Sequence, residues 1–473
     1  MPRKRAANGS NGRSGQGDGS GTPPSVPPGS TGTTGRYLVL LREGGGKQGA
    51  QALSTNTGLR VTNASEFEGS GVSPEVLAGE EAIVFDRLGV AVVSMLPDQL
   101  AVLGAQINED GAILAVEEER IVYALSEDNL LGTVPEPLPQ LLRPLAGGAP
   151  ESIEDYLTGY RDAVNNLVER LISERSSAEP AADDVAAPRP ETNLTWGLQI
   201  TNVAASRYSG RGVRVAVLDT GMDLGHPDFV GRPIVSQSFI TGEAVQDGHG
   251  HGTHCIGTAC GPARPARLPR YGIAYNAEIF VGKVLSNQGS GSDGGILAGI
   301  EWAISNGCAV ISMSLGASAA LGQPFSRIFE TAARRALAAG TLIIAAAGNA
   351  SRRPQSISPV GHPANCPSII AVGAVDSQLV VAPFSCGGLN PQGGQVDIVG
   401  PGVSVYSAWP RPRLNNTISG TSMATPHVAG IAALHAEANP DMRGGALGWL
   451  LLQSSRRLTL PSRDAGGGLI QAP

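Results

Sequence analysis

Five short apolar runs constrain this chain more than any other feature: VRVAVLD, AEIFVGKVL, AVISMSL, TLIIAAAGN and SIIAVGAV. Each is almost unbroken by polar residues. A strand with one wet face alternates apolar and polar residues, so an unbroken run needs cover on both faces. The stretches SDGGILAGIEWAISNG, FSRIFETAARRALAAG and TPHVAGIAALHAEANP lie between or after these runs and carry helical patterning. Buried strands alternating with helices imply a doubly wound, mostly parallel α/β sheet over about residues 192–473. Ligands of such sheets gather at the carboxyl ends of the strands. Polar residues at those ends are therefore candidates for chemistry.

The bulk composition narrows the classes. Aromatic residues are only 4 % while glycine numbers 64 of 473, which favours tight turns and small-residue packing. A net charge of −7 offers no basic field, so nucleic acid is not an expected partner. No window of about 18 apolar residues exists, so no membrane span is expected. Residues 1–35 are rich in Gly, Ser and Pro, with a basic start and no apolar core of a leader. They predict a disordered arm and a cytoplasmic location, with secretion by an unrecognised route as the alternative. Five cysteines, at 255, 260, 308, 366 and 386, form no CxxC pair. Reduced thiols and no zinc site follow.

Residues 36–125 read as a small α+β unit. RYLVLLRE and AVVSML are strands, PDQLAVLGAQINED is a helix ending near Asn108, and AILAVEEERIVYAL closes with two strand-like pieces. Residues 126–191 read as a linker, Pro-rich at first, with an amphipathic helix over 152–174.

Four residues stand at strand ends or helix starts of the back half. Asp219 ends a buried strand, where a carboxylate is costly unless it is partnered. His251 lies in DGHGHGTHC, a Gly-rich entry to a helix, close to His249 and His254. Three close histidines raise a metal site, but HExxH spacing and acidic partners are missing. Asn349 ends AAAGN with an amide able to donate to an oxyanion. Ser422 sits in NTISGTSMATPHVAG, where it is either a helix cap or a nucleophile at a helix N-terminus. A serine nucleophile needs a base, the base an orienting acid, and the oxyanion donors. This set supplies each role.

The words VAVLDTGMD, HGTHCIGT, KVLSNQGSGS, ISMSLG, AAAGN and GTSMATPHVAG, in this order, resemble those of the subtilisin-like serine proteases. The resemblance implies serine endopeptidase activity on proteins or peptides. Asp219 becomes the orienting acid, His251 the base, Ser422 the nucleophile and Asn349 the oxyanion donor. It makes Gly289, Ser290 and Gly291 an edge to which substrate adds as a strand. Ser314, Leu315 and Gly316 form one wall of the first specificity pocket, and Ala346, Ala347 and Gly348 the other. Gly361 falls where roomy pockets carry glycine, which predicts a large apolar residue before the cut. Asp293 replaces an aromatic that covers the pocket in many relatives, so a more open or polar pocket is expected. The segment GPARPARLPRYGIAYNAE lacks the acidic loop of a common calcium site. No cofactor is expected for the chemistry and no metal ligands are assigned; a structural calcium elsewhere is left open. Cys255 resembles the buried cysteine of thiol-containing relatives.

Residues 36–125 resemble the propeptide of that family, an inhibitor that would act in cis. Tyr123, Ala124 and Leu125 would then fill the cleft, with self-cleavage after Leu125. A catalytically silent fold used as a binding or scaffold module is the competing reading.

Overall fold

The computed structural model describes residues 32–42, 46–67, 71–107, 111–125 and 190–473. The helix expected over 152–174 lies outside them.

The front unit is a mixed sheet, antiparallel except for one parallel pair, with short helices. Its strands are β1 (Thr33–Leu41), β2 (Val61–Asn63), β3 (Ala82–Phe85), β4 (Val90–Val93) and β5 (Ile113–Ala124). Their order is β5-β1-β4-β3-β2. Helices α1 (Gly46–Thr57), α2 (Pro74–Gly79) and α3 (Pro97–Gly104) accompany them. Strand β1 already begins at Thr33, inside the expected arm. Helix α3 stops at Gly104 rather than near Asn108, because glycine costs about 1 kcal/mol in a helix and the chain tightens there, Gln106 N bonding Leu103 O at 3.0 Å. Two strand pieces were expected in AILAVEEERIVYAL, but one continuous strand forms. The acids in its middle would be unfavourable alone; Glu119 is held by Arg36 and Glu117 by Arg120. Helix α1 was not expected. Its sequence is a weak helix former, and burial of Leu53 under the sheet beside Val39, Leu41 and Leu103 supplies the stabilisation that propensity does not.

In the back half, the expected doubly wound parallel sheet is present. After a short helix α4 (Trp196–Ile200) come β6 (Arg214–Asp219), β7 (Ile234–Ser238), α5 (His251–Cys260) and β8 (Glu278–Lys283). Then follow β9 (Ser290–Ser292), α6 (Asp293–Ser305), β10 (Val310–Met313), β11 (Leu315–Gly316) and α7 (Arg327–Ala338). The chain continues with β12 (Leu342–Ala346), β13 (Ile370–Val375), β14 (Ile398–Pro401) and α8 (Thr421–Ala438). The sheet order is β14-β13-β12-β10-β6-β8-β7, and every pairing in it is parallel. Strands β7 and β14 were not anticipated. Chain order reverses between β6 and β10, which opens a crevice at their carboxyl ends. The register sets Met313 beside Leu218, so Asp219 and Ser314 leave the sheet side by side.

One apolar cluster covers each face of this sheet. Helices α5 and α8 supply the first, with Cys255, Ile256, Val428, Ile431 and Leu434. Helices α6 and α7 supply the second, and residues of the front sheet such as Leu38, Val90 and Val92 join that same cluster. The front sheet thus rests on α6 and α7. Its last strand, β5, runs on past them into the crevice.

Candidate active site

Asp219 is the last residue of β6 and is fully buried. Its Oδ1 accepts from Thr220 N at 2.8 Å and meets His251 Nδ1 at 2.8 Å. His251 is the first residue of α5, and Gly250 before it holds φ +105°. A β-carbon at Gly250 would lie 2.4 Å from the Trp409 ring, so glycine answers both the backbone and the space. Gly250 has no side chain to cap α5. Asp247 does that work from the loop, accepting from His249 N (3.0 Å), Gly250 N (2.8 Å) and Thr253 N (2.9 Å). Thr220 Oγ1 donates to Asp247 and accepts from Gly252 N. These bonds fix the imidazole on Asp219.

Burial alone would depress the His251 pKa. The charge of Asp219 outweighs it, and the imidazole sits well above the usual histidine value. His251 Nε2 is buried without a hydrogen-bond partner. An imidazole held at Nδ1 with a free Nε2 is placed to take a proton.

Ser422 is not a helix cap. The N-cap of α8 is Gly420, with no side-chain bond, and Ser422 lies within the first turn. Its Oγ donates to Ser314 O at 3.0 Å rather than to His251. Pro426 lies four residues on and has no N–H, so Ser422 O loses its usual helical donor. Ser314 Oγ replaces that donor at 2.8 Å, with Cys255 Sγ at 3.6 Å. Cys255 Sγ is also 3.9 Å from His251 Nδ1, which places the thiol under the dyad. Burial pushes that thiol up, so it stays protonated.

Asn349 follows β12 and is 2 % exposed. Its Oδ1 accepts from Thr421 N at 2.9 Å and Thr421 Oγ1 at 2.8 Å. A backbone N–H can only donate, so the oxygen must face Thr421 and the NH2 must face the crevice. There Asn349 Nδ2 donates to Leu125 O at 2.8 Å. Strand β5 delivers Leu125 to this point. It pairs antiparallel with β9, Val122 opposite Gly291 and Tyr123 opposite Ser290. It pairs antiparallel with β11 through Ala124–Leu315 and Tyr123–Gly316. Ala124 N bonds Gly289 O at 2.9 Å, and Leu125 N bonds Ser314 O at 3.3 Å.

The structure thus brings Asp219, His251, Ser422, Asn349, Gly289, Ser290, Gly291, Ser314, Leu315, Gly316 and Leu125 to one crevice. A β-carbon on Gly316 would lie 3.3 Å from Leu125 Cδ1, so that side chain rests on the β11 wall. Ala346, Ala347 and Gly348 continue β12 on the other side, where Ala347 O accepts from Gly361 N at 2.9 Å. Gly361 has its own backbone reason. A β-carbon there would lie 2.6 Å from Ala317 O, so glycine says nothing independent about pocket size. A charged group thus stands where the resemblance places an aromatic: Asp293 is fully buried here and bound to His362 and, from β5, to Arg120.

Two further histidines hold backbone. His254 Nε2 bonds Val405 O at 3.0 Å, and burial lowers its pKa to about 3. His427 Nδ1 bonds Met423 O at 2.8 Å, and burial lowers it to about 4. Among the described residues, the one cluster with metal-ligand spacing is Asp219, His251 and Cys255. Its Nδ1 is already taken by Asp219, and its thiol must lose a proton to bind. Thr220, Asp247, Thr253 and Thr421 escaped the sequence reading because they touch no reacting atom. The Asp before the HGHGT turn was the available signal.

A parallel sheet with a switch-point crevice, an Asp–His pair, a buried serine and a polarising amide points to a serine hydrolase. Comparison with known proteins gives the family. The Subtilase family profile matches residues 210–468. Subtilisin DY of Bacillus licheniformis is 41 % identical over 238 residues, covering 50 % of this chain and 81 % of its own. Subtilisin E of Bacillus subtilis (strain 168) is 43 % identical over 299 residues, covering 62 % and 74 %. Among solved structures, sphericase matches with a TM-score of 0.52 and 32 % identity, over 60 % of this chain and all of that one. The chain belongs to the subtilase family and is a serine-type endopeptidase, with proteins or peptides as substrates. Among the described residues no helix is long and apolar enough to cross a membrane. The cytoplasmic location expected from the N-terminal stretch draws no support from these relatives.

Proposed function

We propose that the chain is a self-inhibited zymogen that cuts itself after Leu125 through an Asp219–His251–Ser422 triad. The observation that carries this is the Leu125 carbonyl, held by Asn349 Nδ2 at 2.8 Å at the end of a strand laid along β9 and β11. Ser422 Oγ leaves Ser314 O by rotation of its side chain, gives its proton to His251 Nε2 and bonds the Leu125 carbonyl carbon. The oxyanion is met by Asn349 Nδ2 and the Ser422 N–H. Collapse breaks the bond to the Ser126 nitrogen, which takes the proton from His251, and water then releases the acyl-enzyme by the reverse relay. Asp219 holds the tautomer and balances the imidazolium. Every step uses side chains of this chain and needs no cofactor.

The preferred residue before the cut is large and apolar, as Leu125 is against Gly316. The front unit is the inhibitor, acting in cis. The test compares the full chain with Ser422→Ala by gel, N-terminal sequencing and hydrolysis of Leu or Phe peptides. The parent is expected to give a new N-terminus at Ser126 and to hydrolyse the peptides; Ser422→Ala stays whole and inert. A first cut elsewhere overturns the Leu125 register.

A further inference from the structure

The crevice does not end at the residues that pair with β9. Asp293 follows that strand directly, as the first residue of α6. Its side chain is fully buried. One oxygen, Oδ1, faces His362 Nε2 at 2.9 Å. His362 is itself 5 % exposed, with its ring edge-on to Phe329 at 4.6 Å. The carboxylate is therefore clamped and cannot swing. Its other oxygen, Oδ2, points at strand β5. It accepts from Arg120 N at 3.1 Å and from Arg120 Nη1 at 3.3 Å.

Those contacts continue a ladder. Tyr123, Val122 and Ile121 lie opposite Ser290, Gly291 and Ser292. Beyond Ser292 the edge strand turns into α6 and its backbone can pair no further. The Asp293 carboxylate takes the next strand N–H instead and adds a charge that a backbone acceptor lacks. Any extended peptide can satisfy the first bond. A basic side chain satisfies the second and alone brings an opposite charge.

We propose that Asp293 forms an anionic subsite that selects arginine or lysine at the sixth residue before the cut. The assignment rests on the reading of Leu125 as the residue before the cut, because Arg120 is sixth in that count. In the chain itself Arg120 is shared with Glu117, whose Oε2 lies 3.2 Å from Nη2. Neighbouring Glu119 is occupied by Arg36 and the Gly294 N–H. Arg36, Glu117 and Glu119 all belong to the front unit and depart with it. Asp293 and His362 remain, so a substrate meets the carboxylate without its internal competitors.

The experiment uses the full chain, incubated until the front unit is released, and two peptides. One carries the sequence of residues 120–128 with an acetylated N-terminus; the other, also acetylated, has alanine in place of Arg120. The arginine peptide is expected to show about fivefold higher kcat/KM, in the range of one charge-assisted pair with a partly exposed partner. The ratio should fall towards one in Asp293→Asn. It should also fall in the parent enzyme at about 1 M salt, where screening acts within ~3 Å. The salt series decides the matter even where Asp293→Asn does not fold. Equal rates for the two peptides, with both cut after Leu by mass spectrometry, overturn the subsite and leave the register standing. Cleavage of neither peptide after Leu overturns the register, and the subsite falls with it.

Discussion

Glu119 is a carboxylate with no access to water, lodged between two folding units. Arg36 Nε and Nη2 reach its two oxygens at 2.7 Å each, and Gly294 N donates at 2.9 Å. Gly294 is in the first turn of α6, so Glu119 closes the N-terminus of a helix it does not belong to. Glu119→Ala removes one partner of a buried pair, a change that costs ~3–5 kcal/mol when the other charge stays dry. Arg36 keeps 22 % exposure and a bond to Leu77 O at 2.9 Å, so it recovers part of its solvation. The expected loss in docking of the front unit is about 2–3 kcal/mol, or roughly 30- to 150-fold at ~1.4 kcal/mol per decade. The assay is amide hydrogen exchange at Gly294, in a Ser422→Ala background that keeps the chain whole. Protection there should fall by that factor, while Ala371 and Val372 in β13 hold theirs. Glu119→Gln can still accept from Gly294 but carries no charge, and should lose about five- to tenfold. A Gly294 amide whose protection drops less than about threefold in the folded Ala variant would refute the reasoning, since one of its bonds would then carry nothing.

Two further outcomes follow from the site. In the proposed mechanism peptide hydrolysis needs neutral His251, and the Asp219 charge holds its pKa above the ordinary value against burial, so the acid limb of kcat/KM should lie above about 6.5. Asp219→Asn removes that charge, moves the limb to lower pH and cuts kcat about 10⁴-fold; coincident limbs in the two pH profiles would contradict the assignment. The stability sign matches: a raised folded pKa stabilises below the ordinary histidine value, and that contribution is lost as pH rises through the raised one. Thr421→Val keeps the shape of the side chain but deletes its 2.8 Å bond to Asn349 Oδ1, leaving only the Thr421 N–H to aim the amide. A kcat about fivefold lower with KM unchanged is expected, and a rise in KM alone would place Thr421 in ground-state binding instead.

The parallel strands were legible because a strand covered on both faces leaves no room for polar residues. Asp219 and Asn349 could be singled out for the same reason, each ending such a run with a group that burial penalises. Strands β7 and β14 were not legible: IVSQS is half polar at the sheet edge, and IVGP is too short to show a period. Ser422 shows a different limit. Ser beside Thr and Gly before an apolar run reads as a cap, yet the helix starts one residue earlier, and Pro426 rather than Ser422 is what organises the turn. Asp293 was read through the aromatic it replaces. Its actual environment is set by His362, 69 residues away, and by Arg120, 173 residues away. No local pattern carries pairs at such separations.

On the proposed zymogen reading, strand β5 carries inhibition and recognition on one piece of chain. Its first two thirds pair with β1, Leu38 to Glu117 and Leu40 to Ala115, and so belong to the front sheet. Its last residues pair with β9 and β11 and, in the proposed mechanism, stand in the place of substrate. The crevice holds Ala124 and Leu125 by backbone bonds to Gly289 and Ser314, which any extended peptide can make. What a free peptide lacks is the rest: the front sheet on α6 and α7, and Glu119 on the α6 N-terminus. The sheet prepays the entropy of holding the strand extended, so the same contacts bind more tightly in cis than on a free substrate. Breaking the bond after Leu125 removes none of them. Release therefore depends on contacts remote from the cut, Glu119 foremost, and substitutions there should change when the enzyme becomes free rather than how fast it cuts.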